Sequence, residues 1–108
     1  MEKNINYSGV DKLDTFEEAT LKKLSEKHYE KVLRDLNKYQ DINLESELKI
    51  NIKRINTEGK QKNYLISANI KSNAKNFNAE ESDWDLSKAI HKLFENLGNQ
   101  VHHKLKLK

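Results

Sequence analysis

The chain of 108 residues contains no cysteine and no proline, and only three glycines and one tryptophan. Without cysteine there is no disulfide framework and no thiolate for zinc or redox chemistry. Without proline there is no rigid spacer. Gly9, Gly59 and Gly98 are too few and too far apart for a phosphate-cradling glycine loop. No window approaches the roughly 18 consecutive apolar residues that span a bilayer. The opening MEKNINYSGVD lacks the apolar centre of a secretory signal. These absences point to a cytoplasmic chain with no membrane partner.

What is present is charge: 34% of residues are charged and 35% hydrophobic, with a mean hydropathy of -0.97. The apolar residues are periodic rather than scattered, so the chain is expected to fold, as one domain over 1–108 with a thin core. Net charge is +3 and the pI is 9.0, a weak sign of a polyanionic partner taken alone. Its distribution says more. From Leu86 to Lys108, Lys88, Lys92, Lys104, Lys106 and Lys108 stand against Glu95 alone, a local +4 that leaves -1 for the remainder. A phosphate backbone can use such an end.

Ile5 and Tyr7, followed by Ser8-Gly9, predict a short strand over 3–8. Asp14 or Thr15 can cap a helix whose first turn carries Glu17 and Glu18, acids that suit the positive end of the helix dipole. Phe16, Leu21, Leu24, His28, Val32, Leu36 and Tyr39, widened by Tyr29 and Leu33, form an amphipathic stripe to about Tyr39. The period then changes to two. Leu44, Leu48, Ile50 and Ile52 predict a strand to Ile55, and Asn56 to Lys60 form a hairpin connection around Gly59. Tyr64, Ile66, Ala68 and Ile70 predict a third strand, Ser72-Asn73 a turn, and Phe77 and Ala79 a fourth strand to about Glu81. Ser82 reads as the N-cap of a second helix, with Asp83 and Asp85 in its first turn and Leu86, Ile90, Leu93, Leu97, Val101 and Leu105 on its apolar face. Gly98 either ends that helix or permits a close backbone approach.

The expected fold class is therefore α+β: β-α-β-β-β-α, a four-stranded sheet with two helices packed on one face, like a double-stranded-RNA-binding domain in layout. The first crossover makes strands one and two parallel if they are neighbours.

No convergent set of reactive groups accompanies this layout, so the reading is binding rather than catalysis, with no small-molecule substrate, cofactor or metal. His102 and His103 point about 100° apart on a helix and cannot share one ion. His28 falls on the apolar side of helix one and reads as a packed rim residue. Trp84, in the expected first turn of helix two, reads as a cap on a core edge. Phe77 and Tyr64 fall on the core face, which argues against an exposed base-stacking platform. Helix one carries Lys23, Lys27, Lys31, Arg34 and Lys38 along one side. There Glu18 precedes Lys22, and Glu30 precedes Arg34, at ion-pair spacing, so partial self-neutralisation is expected.

Three stretches carry a likeness: Asn4-Ile5-Asn6-Tyr7-Ser8-Gly9, the three-strand segment 44–82, and the last helix with Asp85-Leu86-Ser87-Lys88-Ala89-Ile90 and Leu97-Gly98-Asn99-Gln100-Val101. Together they resemble the ribosome hibernation-promoting factor family, also known as ribosome-associated inhibitor or protein Y, whose first strand ends in Thr-Gly and whose last helix opens Asp-Met-Tyr-Ala-Ala-Ile. The resemblance implies a domain that lodges in the mRNA and tRNA channel of the small ribosomal subunit, contacts its rRNA through both helices and silences translation. The implied RNA-binding residues are Lys88, Lys92, His102, His103, Lys104 and Lys106 on and after helix two, and Lys23, Lys27, Lys31 and Arg34 on helix one. Asn96 and Asn99 stand where the family usually has basic residues. The dimerisation domain of long members has no counterpart here, so the likeness is to a short form, expected to be a monomer off the ribosome.

Two other readings follow from the same layout. A double-stranded-RNA-binding domain opens its last helix with a lysine-rich turn, but Ser82-Asp83-Trp84-Asp85 is acidic and would repel phosphate. A protein-interaction module without RNA affinity is compatible with the modest net charge.

Overall fold

The computed structural model describes residues 5–40, 46–72 and 76–106, with side chains given for all but 36–40 and 104–106. The elements are β1 (Ile5–Ser8), a 3-10 turn (Val10–Lys12), α1 (Thr15–Gln40), β2 (Ser46–Glu58), β3 (Gln61–Ser72), β4 (Asn76–Asp83) and α2 (Leu86–Lys106). The sheet order is β1-β2-β3-β4, with β1 parallel to β2 and the other pairs antiparallel, as the sequence order predicts. Lys3, Asn4, Leu44 and Asn73, which the sequence reading assigned to strands and a turn, lie outside the described residues.

Alternation sets the two faces of the sheet. Leu48, Ile50, Ile52, Tyr64, Ile66, Ala68, Ile70, Phe77 and Ala79 point inward and are buried. A register shift between Ile52 and Arg54 reverses the parity of β2, so Ile55 comes to lie opposite Tyr64 rather than facing solvent. Both helices cover this inner face, with Leu21, Tyr29 and Val32 of α1 and Ile90, Leu93, Leu97 and Val101 of α2 in the same core. At Gly9, φ is 73°, and any Cβ would collide with the carbonyl oxygen of Ile52; the chain needs glycine to leave β1.

The first turn of α1 is fixed by a reciprocal cap. The Glu17 backbone N–H donates to Asp14 Oδ1 at 2.7 Å, and the Asp14 N–H donates to Glu17 Oε1 at 3.0 Å. The other carboxylate oxygen of Glu17 accepts the Tyr64 hydroxyl and lies 3.5 Å from Lys62 Nζ, tying the helix start to β3. Burial and this carboxylate push the Tyr64 hydroxyl far above its usual pKa. Further along, the Tyr29 hydroxyl meets Ser46 Oγ at 2.6 Å and tethers α1 to the start of β2.

Four expectations are corrected. Phe16 is not in the apolar stripe; it is 80% exposed. Five residues separate it from Leu21, which puts it about 140° around the helix at 3.6 residues per turn. Helix two does not start at Ser82: Ser82 and Asp83 pair with Leu65 and Tyr64 in β4. The cap is Asp85, whose Oδ1 accepts the Lys88 N–H at 3.1 Å. Trp84 is consequently in the connection before α2 and is 49% exposed rather than sealed against the core. Finally, α2 runs unbroken through Gly98, where a Cβ would meet open space, so close backbone approach is not its reason.

Candidate nucleic-acid interface

The two helices lie side by side and run in the same direction. His28 of α1 meets His91 and Phe94 of α2, and seven residues later Asp35 meets His102. Between the helices a groove open to solvent runs from Leu24 to Asp35 on α1 and from Ser87 to His102 on α2. On α2, His91, Glu95, Gly98 and His102 follow one another at i, i+4, i+7 and i+11, a single stripe that faces α1.

The groove has two halves that share His28 and His91. One half, about 430 Å3, is lined by Leu24, Asp83, Asp85, Ser87, Lys88 and Lys92 beside the shared pair. The other, about 200 Å3, adds Lys31, Val32, Asp35, Phe94, Glu95, Gly98, Asn99 and His102. The His28 ring stacks on Phe94 with centroids 5.5 Å apart and meets the edge of His91 at 5.6 Å. Burial, followed by the charges of His91, Lys27 and Lys31, holds His28 below the usual histidine pKa. His91 Nε2 lies 3.7 Å from Glu95, and His102 Nε2 lies 3.3 Å from Asp35.

Of the ten residues expected to bind RNA, the fold brings Lys31, Lys88, Lys92 and His102 into this groove. Lys23, Lys27, Lys31 and Arg34 are exposed and share an arc of about 80° on α1, along the rim of the groove. Lys92 is partly spent on its own fold: its Nζ lies 3.1 Å from Asp83 and donates to the Ser82 carbonyl at 2.7 Å. The Asp85 N–H, and after it Lys92, hold the Asp83 carboxyl below the usual range. Among the described residues Lys31 and Lys88 make no ion pair within 4.0 Å, although the Lys88 charge contributes to holding the Asp83 carboxyl down. Self-neutralisation on α1 is seen at Glu18 and Lys22, 2.9 Å apart, on the side away from the groove. His103 is exposed; the side chains of Lys104 and Lys106 lie outside those described.

Sequence reasoning missed His28 and His91 as groove residues. They are 63 positions apart, and no local spacing marks a pair that only the parallel packing creates. Among the described residues, no three histidines and carboxylates converge as a metal site, and no helix is long and apolar enough to cross a membrane.

Residues 4–108 match the family described as sigma 54 modulation protein / S30EA ribosomal protein. The chain belongs to this family. Solved structures agree on the fold. The N-terminal domain of Protein Y from Thermus thermophilus is 22% identical, with a TM-score of 0.53 over 96% of this chain and 99% of that one. A ribosomal subunit interface protein from Coxiella burnetii is 21% identical, with a TM-score of 0.60 over 97% and 99%. No curated protein matches the chain. The family and the fold are those that the three short sequence stretches and the element order implied.

Proposed function

We propose that this chain is a ribosome-associated hibernation factor: it binds small-subunit rRNA in the mRNA and tRNA channel through its helix pair and thereby blocks translation. One observation carries the reading. The basic residues of two helices far apart in sequence converge on a single open groove and its α1 rim, with Lys31 and Lys88 unpaired there among the described residues. A paired surface lysine is neutralised by its own protein, whereas an unpaired one can replace the counterions of a phosphate backbone. Membership of a family described in part as a ribosomal protein supports the ribosome as the place where that backbone is met. The protein acts as a cytoplasmic binding module, as one domain, monomeric when off the ribosome.

Co-sedimentation with purified small subunits tests this reading. At about 50 mM salt the protein is expected to migrate with the subunit, and at about 200 mM most of it is expected to be released, because phosphate contacts exchange for salt ions. Replacing Lys88, Lys92, Lys104 and Lys106 by glutamine is expected to abolish migration. Absence of migration at low salt overturns the reading.

A second reading, a protein-interaction module, is favoured by the two large exposed hydrophobics, Phe16 and Trp84. Both sit near the start of a helix, at the end of the sheet where Glu17 bonds Tyr64 and Tyr64 pairs with Asp83. Binding that withstands high salt would favour it, since an apolar interface is not weakened by counterions.

A further inference from the structure

We propose that the middle of the interhelical groove, around His28 and His91, is a proton-linked site for an RNA phosphodiester: protonated, it takes up a backbone phosphate; neutral, it does not. This rests on the RNA-binding reading and adds the ligand group and the condition under which the site forms.

Charge arithmetic along the groove is the first argument. Lys31, Lys88 and Lys92 face four carboxylates, Asp35, Asp83, Asp85 and Glu95. With neutral histidines these side chains sum to -1, and Lys27 at the α1 rim brings the sum to zero, so the lysines meet a backbone with little net help from the groove. Protonation of His28, His91 and His102 adds +3 to that sum and makes the groove strongly favourable to phosphate.

Geometry is the second argument. The rings of His28 and His91 are close enough to repel each other once both are charged, at 5.6 Å between centroids. Lys27 and Lys31 add to that repulsion at His28. An anion bound against both rings from the open side of the groove sets an attraction beside each of these repulsions, so phosphate binding and proton uptake reinforce one another. Of the outer histidines, His91 Nε2 lies 3.7 Å from Glu95 and His102 Nε2 lies 3.3 Å from Asp35. Gly98 leaves between them the space that a side chain would have taken. Phe94 backs the His28 ring and fixes its plane.

The test is the equilibrium binding of the full chain to small subunits at constant ionic strength, from about pH 8 to about pH 5.5, across the histidine range. Affinity is expected to rise by about tenfold or more, the effect of moving one histidine by one pKa unit on binding. In His28→Gln/His91→Gln/His102→Gln the rise is expected to shrink to less than about threefold. His91→Gln alone, at an exposed position, is expected to remove part of the rise even if the triple variant folds poorly. Inorganic phosphate at matched ionic strength is expected to displace no more protein than chloride does; stronger displacement would make the site one for free phosphate and overturn the RNA assignment. Binding that does not change with pH, or a rise that survives in His91→Gln undiminished, overturns the proton linkage alone. Failure to bind at every pH overturns the ribosome reading instead.

Discussion

The outer face of the sheet and the helical groove are both polar and open, yet they differ in how their polar residues are used. On the outer face, donors meet acceptors within the face. Ser8 Oγ donates to Asn51 at 2.9 Å, Asn69 donates to Asn78, and Lys53 Nζ lies 2.6 Å from Glu80. The result is a shallow depression of about 590 Å3 in which Ser8, Asn51, Asn69, Asn78 and Glu80 bond to neighbours on the same face. In the groove, lysines and histidines project from two rigid helices, and Lys31 and Lys88 remain without an ion-pair partner among the described residues. Polarity alone therefore does not mark a binding face; basic side chains converging from two rigid helices on one groove do.

Substitutions on the two sides of this division are expected to separate cleanly. The largest effect belongs to the inner face. Phe77→Ala is expected to cost about 3–5 kcal/mol in chemical denaturation, since it empties a fully buried ring, whereas Asn78→Ala, one residue along on the outer face, is expected to stay within about 0.5 kcal/mol. Next comes the joint between the groove helices and the sheet. Glu17→Ala removes the return half of the α1 cap and leaves the Tyr64 hydroxyl without its acceptor, so a loss of about 1–2 kcal/mol is expected.

Smaller effects sharpen the picture of the groove itself. Gly98→Ala is expected to stabilise the protein by about 0.5–1 kcal/mol in thermal unfolding, because an alanine suits the helix interior and its methyl meets open space. At His28 the sign of the pH effect is fixed by burial. The folded state holds its pKa below the unfolded value, so the unfolded chain takes up the proton first. Stability from this group is complete above about pH 6.5 and declines as the pH falls through that value, levelling off below the folded pKa. His28→Gln is expected to flatten this part of the stability profile, whereas changes on the outer face leave it unaltered. The same proton that weakens the free fold strengthens phosphate binding.

Much of this architecture is legible in the sequence because period two and period 3.6 each leave a clear mark. The buried residues of β2, β3 and β4 follow from alternation, down to Tyr64 and Phe77 on the core face, whereas Ile55 turns inward only through the register shift after Ile52. The start of α2 was not. Ser82 and Asp83 have the chemistry of a helix cap, but their pairing with Leu65 and Tyr64 keeps them in β4, and a ladder contact from another strand is invisible to local spacing. Phe16 misled for a related reason: a five-residue step looks helical in a list of apolar residues but turns the side chain away from the core. At the site, the basic residues could be read one helix at a time, while the groove that unites them depends on the parallel crossing of α1 and α2. His28 was seen as a packed rim residue, which its stacking on Phe94 bears out, but its partner His91 was beyond reach.

The most direct measurement compares the two faces in one assay: small-subunit affinity of Lys31→Gln/Lys88→Gln/Lys92→Gln against Lys49→Gln/Lys53→Gln/Lys71→Gln at the same salt. Each set removes three positive charges. The groove set is expected to weaken binding by about tenfold or more and to lower the salt slope by about two, the share of three phosphate contacts to single-stranded RNA, while the sheet set changes affinity by less than about threefold. Equal losses from both sets would make binding a matter of net charge, and a larger loss from the sheet set would place the interface on the outer face; either result contradicts the account.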